Sequence, residues 1–223
     1  MPLDLYYDAV SPPCRAVMLT CRALDLDVNM KYLDLMKGET KTPEFIAINP
    51  QHTLPTLVDG DLKIWESRAI CTYLVGQYGK NDSLYPKDPI ARAKVDRLLY
   101  FDMGTLYKRF GEVVYPVFRG ETKEIVPAKL DALYEAMGWL EGYLEGNKWA
   151  AGDKITVADF VLVSSVQAFE VTKINISKFK NIAQWLSNCK QQLKGYGDVC
   201  DKAMAMIKKM TEETHSNINL WKD

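Results

Sequence analysis

The sequence predicts an α/β domain over residues 1–78, a linker over 79–88, and an all-helical domain over 89–223. Three observations predict it: a strand-helix-strand opening, one stretch crowded with turn residues, and helical periodicity everywhere beyond it. LDLYY (3–7) reads as a strand, residues 12–25 as a helix, and VNMKYLDL (28–35) as a second strand, which makes a βαβ start. Asn49-Pro50 then marks a turn. TLPTLVD and LKIW are short strand-like runs, and Asp59-Gly60 between them is a hairpin signal. From Ser67, RAICTYLVGQYG returns to a helix. The joint is YGKNDSLYPKDP (78–89), which holds Gly, Asn, Asp, Ser and two prolines. After it, PIARAKVDRLLYFDMGTLYKRF, VPAKLDALYEAMGWLEGYLEG, ITVADFVLVSSVQAF, FKNIAQWLSNCKQQL and GDVCDKAMAMIKKM give four or five helices. Within ITVADF, Thr156 and Asp159 have capping-box spacing, and Ile155 and Phe160 take the two staple positions; this is a folding device.

Composition narrows the function. With 48% hydrophobic and 26% charged residues among 223, the chain is an ordinary globular sequence. Its formal charge of −1 is spread without a single-sign face, so neither nucleic acid nor an anionic membrane is an expected partner. No apolar run approaches the roughly 18 residues a spanning helix needs, and MPLDLYYDAV lacks the pattern of a signal peptide, so a cytoplasmic protein is expected. The five cysteines, Cys14, Cys21, Cys71, Cys189 and Cys200, form no CxxC pair and read as reduced thiols. With only His52 and His215, no metal site is expected.

Chemistry concentrates in YYDAVSPPCRAV (6–17). Cys14, Val17, Met18, Cys21 and Leu24 recur at steps of three and four, so Cys14 points with an apolar face, where a thiol is inert. Ser11 precedes Pro12, which is favoured at a first helical position, so Ser11 is an N-cap. Tyr6 and Tyr7 lie inside a strand on alternate faces and read as structural. At WESRAI, Glu66, Ser67 and Arg68 open another helix, where free N–H groups suit a carboxylate. Between the two starts, Pro55 in QHTLPTL leaves the Leu54 backbone available to a ligand. A hydroxyl, a carboxylate site and a free strand edge together suit an extended peptide with a thiol in its middle.

These segments resemble the cytosolic glutathione transferases. YYDAVSPPCRAV, LMKGETKTPEFIAINPQHTLPTLVDGD, LKIWESRAICTYLVGQYGKNDSLYPKDP and RLLYFDMGTLYKRF are similar to the insect delta class, with the epsilon class as a close rival that typically has histidine where this chain has Arg68. The resemblance implies a thioredoxin-like N-terminal domain, an all-α C-terminal helical domain, a homodimer and a cis Leu54-Pro55 peptide. It implies Ser11 as the catalytic hydroxyl, Leu54 and Pro55 at the cysteinyl backbone, Glu66 and Ser67 at the γ-glutamyl end, and His52 at the glycyl carboxylate. Arg68 and Asp102 complete the polar network around the glutamyl group. Glutathione is then a co-substrate, and no cofactor or metal is required. Where the delta class usually reads GEHM, this chain reads GETK, so Thr40 stands in place of a ligand and weaker glutathione binding is expected.

The second substrate is expected where the helical domain faces Ser11. Met103, Leu106, Tyr107, Phe110, Tyr115 and Phe118 form a soft aromatic stretch, with Pro13 and Leu35 added from the first domain, as a hydrophobic pocket for an electrophile. Conjugation for detoxification of xenobiotics is the leading reading, with chloride elimination and hydroperoxide reduction as side activities of the same thiolate. A ligand-carrying binding protein and a thiol-disulfide enzyme using Cys14 are the alternatives.

Overall fold

The computed structural model describes residues 3–122, 124–172 and 174–214 of the chain. Strand β1 (Leu3–Tyr7), helix α1 (Pro12–Ala23) and strand β2 (Val28–Tyr32) form the opening βαβ unit, with β1 and β2 parallel. The second strand stops at Tyr32, shorter than the predicted 28–35, because Asp34 turns the chain by accepting from the amides of Met36 (2.9 Å) and Lys37 (3.0 Å). A short helix, α2 (Pro43–Ile46), precedes strands β3 (Thr56–Asp59) and β4 (Leu62–Trp65), which make the hairpin about Asp59-Gly60. The sheet order is β2-β1-β3-β4, and β3 runs antiparallel to β1. Helix α3 (Ser67–Tyr78) closes this part by packing on α1.

The remainder is helical. Helices α4 (Pro89–Phe101) and α5 (Tyr107–Phe118) are separated by a π-helical turn over Asp102–Leu106. Sequence periodicity reads residues 89–110 as one continuous helix; the π turn carries an extra residue and rotates the register, which periodicity at 3.6 does not reveal. Helices α6 (Pro127–Leu144), α7 (Val157–Val166), α8 (Ala168–Val171), α9 (Lys180–Gln192) and α10 (Lys202–Thr214) follow. Thr156 and Asp159 make the capping box at α7. Asp159 is fully buried and also accepts from the Ala150 amide (2.8 Å) and the Trp185 indole (2.9 Å), which ties α7 to α9.

Helix α7 is buried at every position and packs against α1. One continuous core therefore runs from Leu5, Val17 and Leu57 through Leu74 and Leu98 to Leu162 and Trp185. Among the described residues no helix is long and apolar enough to cross a membrane.

Candidate active site

The site forms where three chain turns meet the first helices of the second half. At the first, Ser11 is the N-cap of α1 with extended backbone, and it makes no side-chain cap hydrogen bond. The reason is local. Pro12 and Pro13 occupy the first two helical positions and have no N–H to offer, which removes two of the amides a capping hydroxyl would otherwise meet. It opens, half-buried, on a cavity of about 600 Å³.

Cys14, one turn on, is fully buried. It packs with Phe45 and Leu54 in a small cluster beneath the site, apart from the main core to which Val17 and Cys21 belong. Burial pushes its thiol up to about 12, against hydrogen bonding from the Asp8 backbone and Ser11. All five cysteines are free and buried. Tyr6 meets Phe45 at 5.3 Å and Tyr7 meets Tyr32 edge-on at 6.0 Å, so both rings serve packing.

At the second turn Leu54-Pro55 is a cis peptide. Asn49 organises the approach: its fully buried amide donates to the Thr53 carbonyl (3.1 Å) and the Thr56 hydroxyl (2.9 Å). His52, exposed beside it, has φ 45°. At the third turn Glu66, exposed, has φ 71° at the start of α3. Positive φ in a non-glycine residue costs of order 1–3 kcal/mol and gathers at functional sites. Asp25 is the other described non-glycine residue in this region.

Behind Glu66, Ser67 is buried and accepts from Arg68 (3.0 Å), whose guanidinium also pairs with the fully buried Asp102. Burial pushes the Asp102 carboxyl up, while Arg68 opposes it. The Asp102 Oδ1 and Arg68 Nε atoms are buried without a hydrogen-bond partner, so the cluster retains polar capacity. Arg68 also lies 5.5 Å over the Tyr107 ring, which joins the cluster to the cavity wall. Among the described residues no group of histidine, cysteine and acidic side chains is placed to hold a metal.

The cavity is bounded by Ser11, Pro13, Leu35, His52 and Leu54 on one side and by Tyr107, Phe110, Tyr115 and Phe118 on the other. Tyr107 and Tyr115 share a hydrogen bond of 2.6 Å across its wall. Two expected lining residues are elsewhere. The π turn swings Met103 out to 44% exposure and drives Leu106 wholly into the core, so neither lines the cavity. Sequence reasoning missed Val114 on α5, Ala168, Val171 and Thr172 around α8, and Ile207 on α10. The three-four spacing of 168, 171 and 172 was a usable signal; Ile207 had none. Thr40 is buried (4% exposed) in a 3-10 turn over Glu39–Lys41 and does not reach the cavity lining.

Family models for the glutathione S-transferase N-terminal domain and C-terminal domain match residues 5–82 and 96–192. The chain belongs to the glutathione transferase family. Among solved structures, this transferase is similar to a delta-class enzyme of Nilaparvata lugens, at 44% identity and TM-score 0.91, over 95% of this chain and 99% of that one. It is similar to a Bombyx mori glutathione transferase at 44% identity and TM-score 0.89, over 94% and 97% of the two chains. An epsilon-class transferase from the housefly Musca domestica matches at 37% identity and TM-score 0.90, over 99% and 100%.

Proposed function

We propose that this transferase is a serine-type enzyme of delta-class character that conjugates the glutathione thiolate to hydrophobic electrophiles in detoxification. The observation that carries the reading is the Ser11 hydroxyl, free of any helix-cap hydrogen bond, held at a helix start and opening on an apolar cavity. A free thiol of pKa about 8.5 is only about 3% ionised at about pH 7, whereas one at about 6.5 is roughly three-quarters ionised. That shift is worth about 2.7 kcal/mol. One hydrogen bond to an anionic acceptor contributes about 1.5–3 kcal/mol, and the helix start adds about 0.3–1. Ser11 therefore donates to the sulfur and keeps its own proton.

In this reading Leu54 offers its backbone to the cysteinyl unit, Glu66 and Ser67 hold the γ-glutamyl end, and His52 meets the glycyl carboxylate. Arg68 and Asp102 stiffen the glutamyl side. The electrophile lies against Phe110, Tyr115 and Phe118, where water is displaced and the thiolate attacks its electrophilic carbon; with a nitroaryl halide the C–S bond forms as the carbon–halogen bond breaks and halide leaves. Chloride elimination and hydroperoxide reduction are side activities of the same thiolate in the same cavity. We place the protein in the cytoplasm, and as a homodimer.

The test is turnover of glutathione with a nitroaryl halide across pH for wild type, Ser11→Ala and Cys14→Ala. Ser11→Ala is expected to lose about tenfold to a hundredfold in kcat near neutral pH, with the apparent pKa rising toward that of free glutathione. Abolition by Cys14→Ala alone would transfer the chemistry to thiol exchange. Glutathione binding without turnover in all three would make this a binding protein.

A further inference from the structure

Arg15 is wholly buried on α1, one turn past Ser11, and no carboxylate among the described residues lies within ion-pair distance of it. A guanidinium removed from water is costly unless its donors are satisfied. Its Nη1 donates to the carbonyls of Ala9 and Val10, each at 2.9 Å, and these are the two residues before Ser11. Its Nη2 donates at 2.9 Å to the Ser164 carbonyl in the last turn of α7, where helix carbonyls lack partners of their own. One side chain thus joins the turn that carries Ser11 to the helical half of the molecule.

The neighbouring residue on α7 serves the other end of the site. Ser165 faces Asp102, which pairs with Arg68 behind Glu66 and Ser67. Two consecutive residues at the end of α7 therefore meet the two ends of the site, Ser164 through the Arg15 hydrogen bond and Ser165 beside Asp102.

Arg15 makes no ion pair among the described residues. The titratable groups that face it are Asp8 from the turn after β1, Cys14 on its own helix, Tyr107 and Tyr115 from α5, and Cys200 from the turn before α10. Asp8 is the carboxyl group of that set. Its oxygens already accept from the amides of Val10 (3.1 Å) and Leu35 (3.2 Å), and burial pushes its pKa up. The thiol and phenols are neutral at physiological pH. With its Nη atoms on backbone carbonyls and no carboxylate in an ion pair with it, Arg15 keeps charge that an anion bound at the Ser11 hydroxyl would feel.

We propose that Arg15 is a positioning residue for the transfer reaction: it holds Ser11 in place through the Ala9 and Val10 carbonyls and lends a buried positive charge to the thiolate bound there. This rests on the reading of Ser11 as the thiol donor.

The experiment uses the full chain with glutathione and a nitroaryl halide, comparing wild type, Ser11→Ala, Arg15→Lys and Arg15→Met. The pH profile of kcat and the ultraviolet absorbance of bound thiolate each give the pKa in the complex, a quantity independent of how much protein has folded. Arg15→Met is expected to raise that pKa by about one unit, from about 6.5 to about 7.5, or about threefold less thiolate at about pH 7. Arg15→Lys keeps the charge but not the planar fork, so its pKa is expected to stay at the wild-type value while kcat falls. An unchanged pKa in Arg15→Met with only a lower Tm would overturn the proposal. Should Arg15→Met fail to fold, Arg15→Lys decides: a reduced kcat supports the role, and a wild-type kcat refutes it. A wild-type profile in Ser11→Ala would sink the reading of Ser11 itself, whatever Arg15 did.

Discussion

Ser11 and Cys14 are three residues apart, and burial gives them opposite chemistry. The hydroxyl opens on the cavity, while the thiol is sealed against Phe45 and Leu54 and pushed up to about 12. Cys14→Ala should therefore cost about 1 kcal/mol of stability, read from urea unfolding, and leave the apparent thiol pKa of the reaction in place. Thr40 presents a different case, because its position rather than its reactivity is at issue. We propose that the glycyl end of glutathione lacks a ligand there, with Lys41 the adjacent exposed cation. Thr40→His, whose longer side chain has to leave the buried turn to reach the tripeptide, should then tighten the glutathione dissociation constant about tenfold, the worth of one hydrogen bond to a charged group. An unchanged constant would mean that residue 40 does not touch the tripeptide.

The elements that carry the site are braced by polar contacts, and one of these titrates. Asp59, at the end of β3, accepts from the hydroxyls of Tyr73 (2.6 Å) and Tyr78 on α3, which fastens the hairpin to the helix bearing Ser67. Both phenols hold the Asp59 carboxyl below its ordinary value of 3.8. A carboxyl with a depressed folded pKa stabilises fully above its unfolded pKa, and the contribution is lost as pH falls through the folded one. Stability should therefore decline on acidification from about pH 5 to about pH 3, and Asp59→Asn should flatten that part of the urea-unfolding profile. Because the site is solvent-screened, the effect should be no more than about 1 kcal/mol. The π turn between α4 and α5 acts at the same scale, since it sends Leu106 to the core and leaves Tyr107 and Phe110 at the cavity.

At the scale of the whole molecule, α7 meets both halves of the site, bonded to Arg15 through the Ser164 carbonyl on one side and placing Ser165 beside Asp102 on the other. A further surface is left apolar. Tyr100 and Met103, 68% and 44% exposed, lie at the end of α4 and in the turn after it, and we propose that a second copy of the chain covers them. Tyr100→Glu should then shift the protein toward monomer in sedimentation at micromolar concentration. A mass unchanged from wild type would exclude this surface from the interface.

The sequence by itself determined the order of the four strands and of the helices that flank them at Pro12 and Ser67, the helix start at Ser11, the Asp59-Gly60 hairpin and the Thr156 cap. Each is written in neighbouring residues: a serine before two prolines, an Asp-Gly pair between strands, a Thr-x-x-Asp spacing. It also carried the family, because several motifs stand in the right order along the chain. What only the tertiary structure decided is which side chains meet. Periodicity carried Met103 and Leu106 into the predicted pocket, and a π turn that leaves no trace in apolar spacing removed them. Arg15 has no local signal in the sequence; its burial and its reach to Ser164, 149 residues away in sequence, exist only once α1 and α7 are packed together. Local signals act over a few residues, whereas burial and charge compensation depend on partners that the chain brings together only by folding.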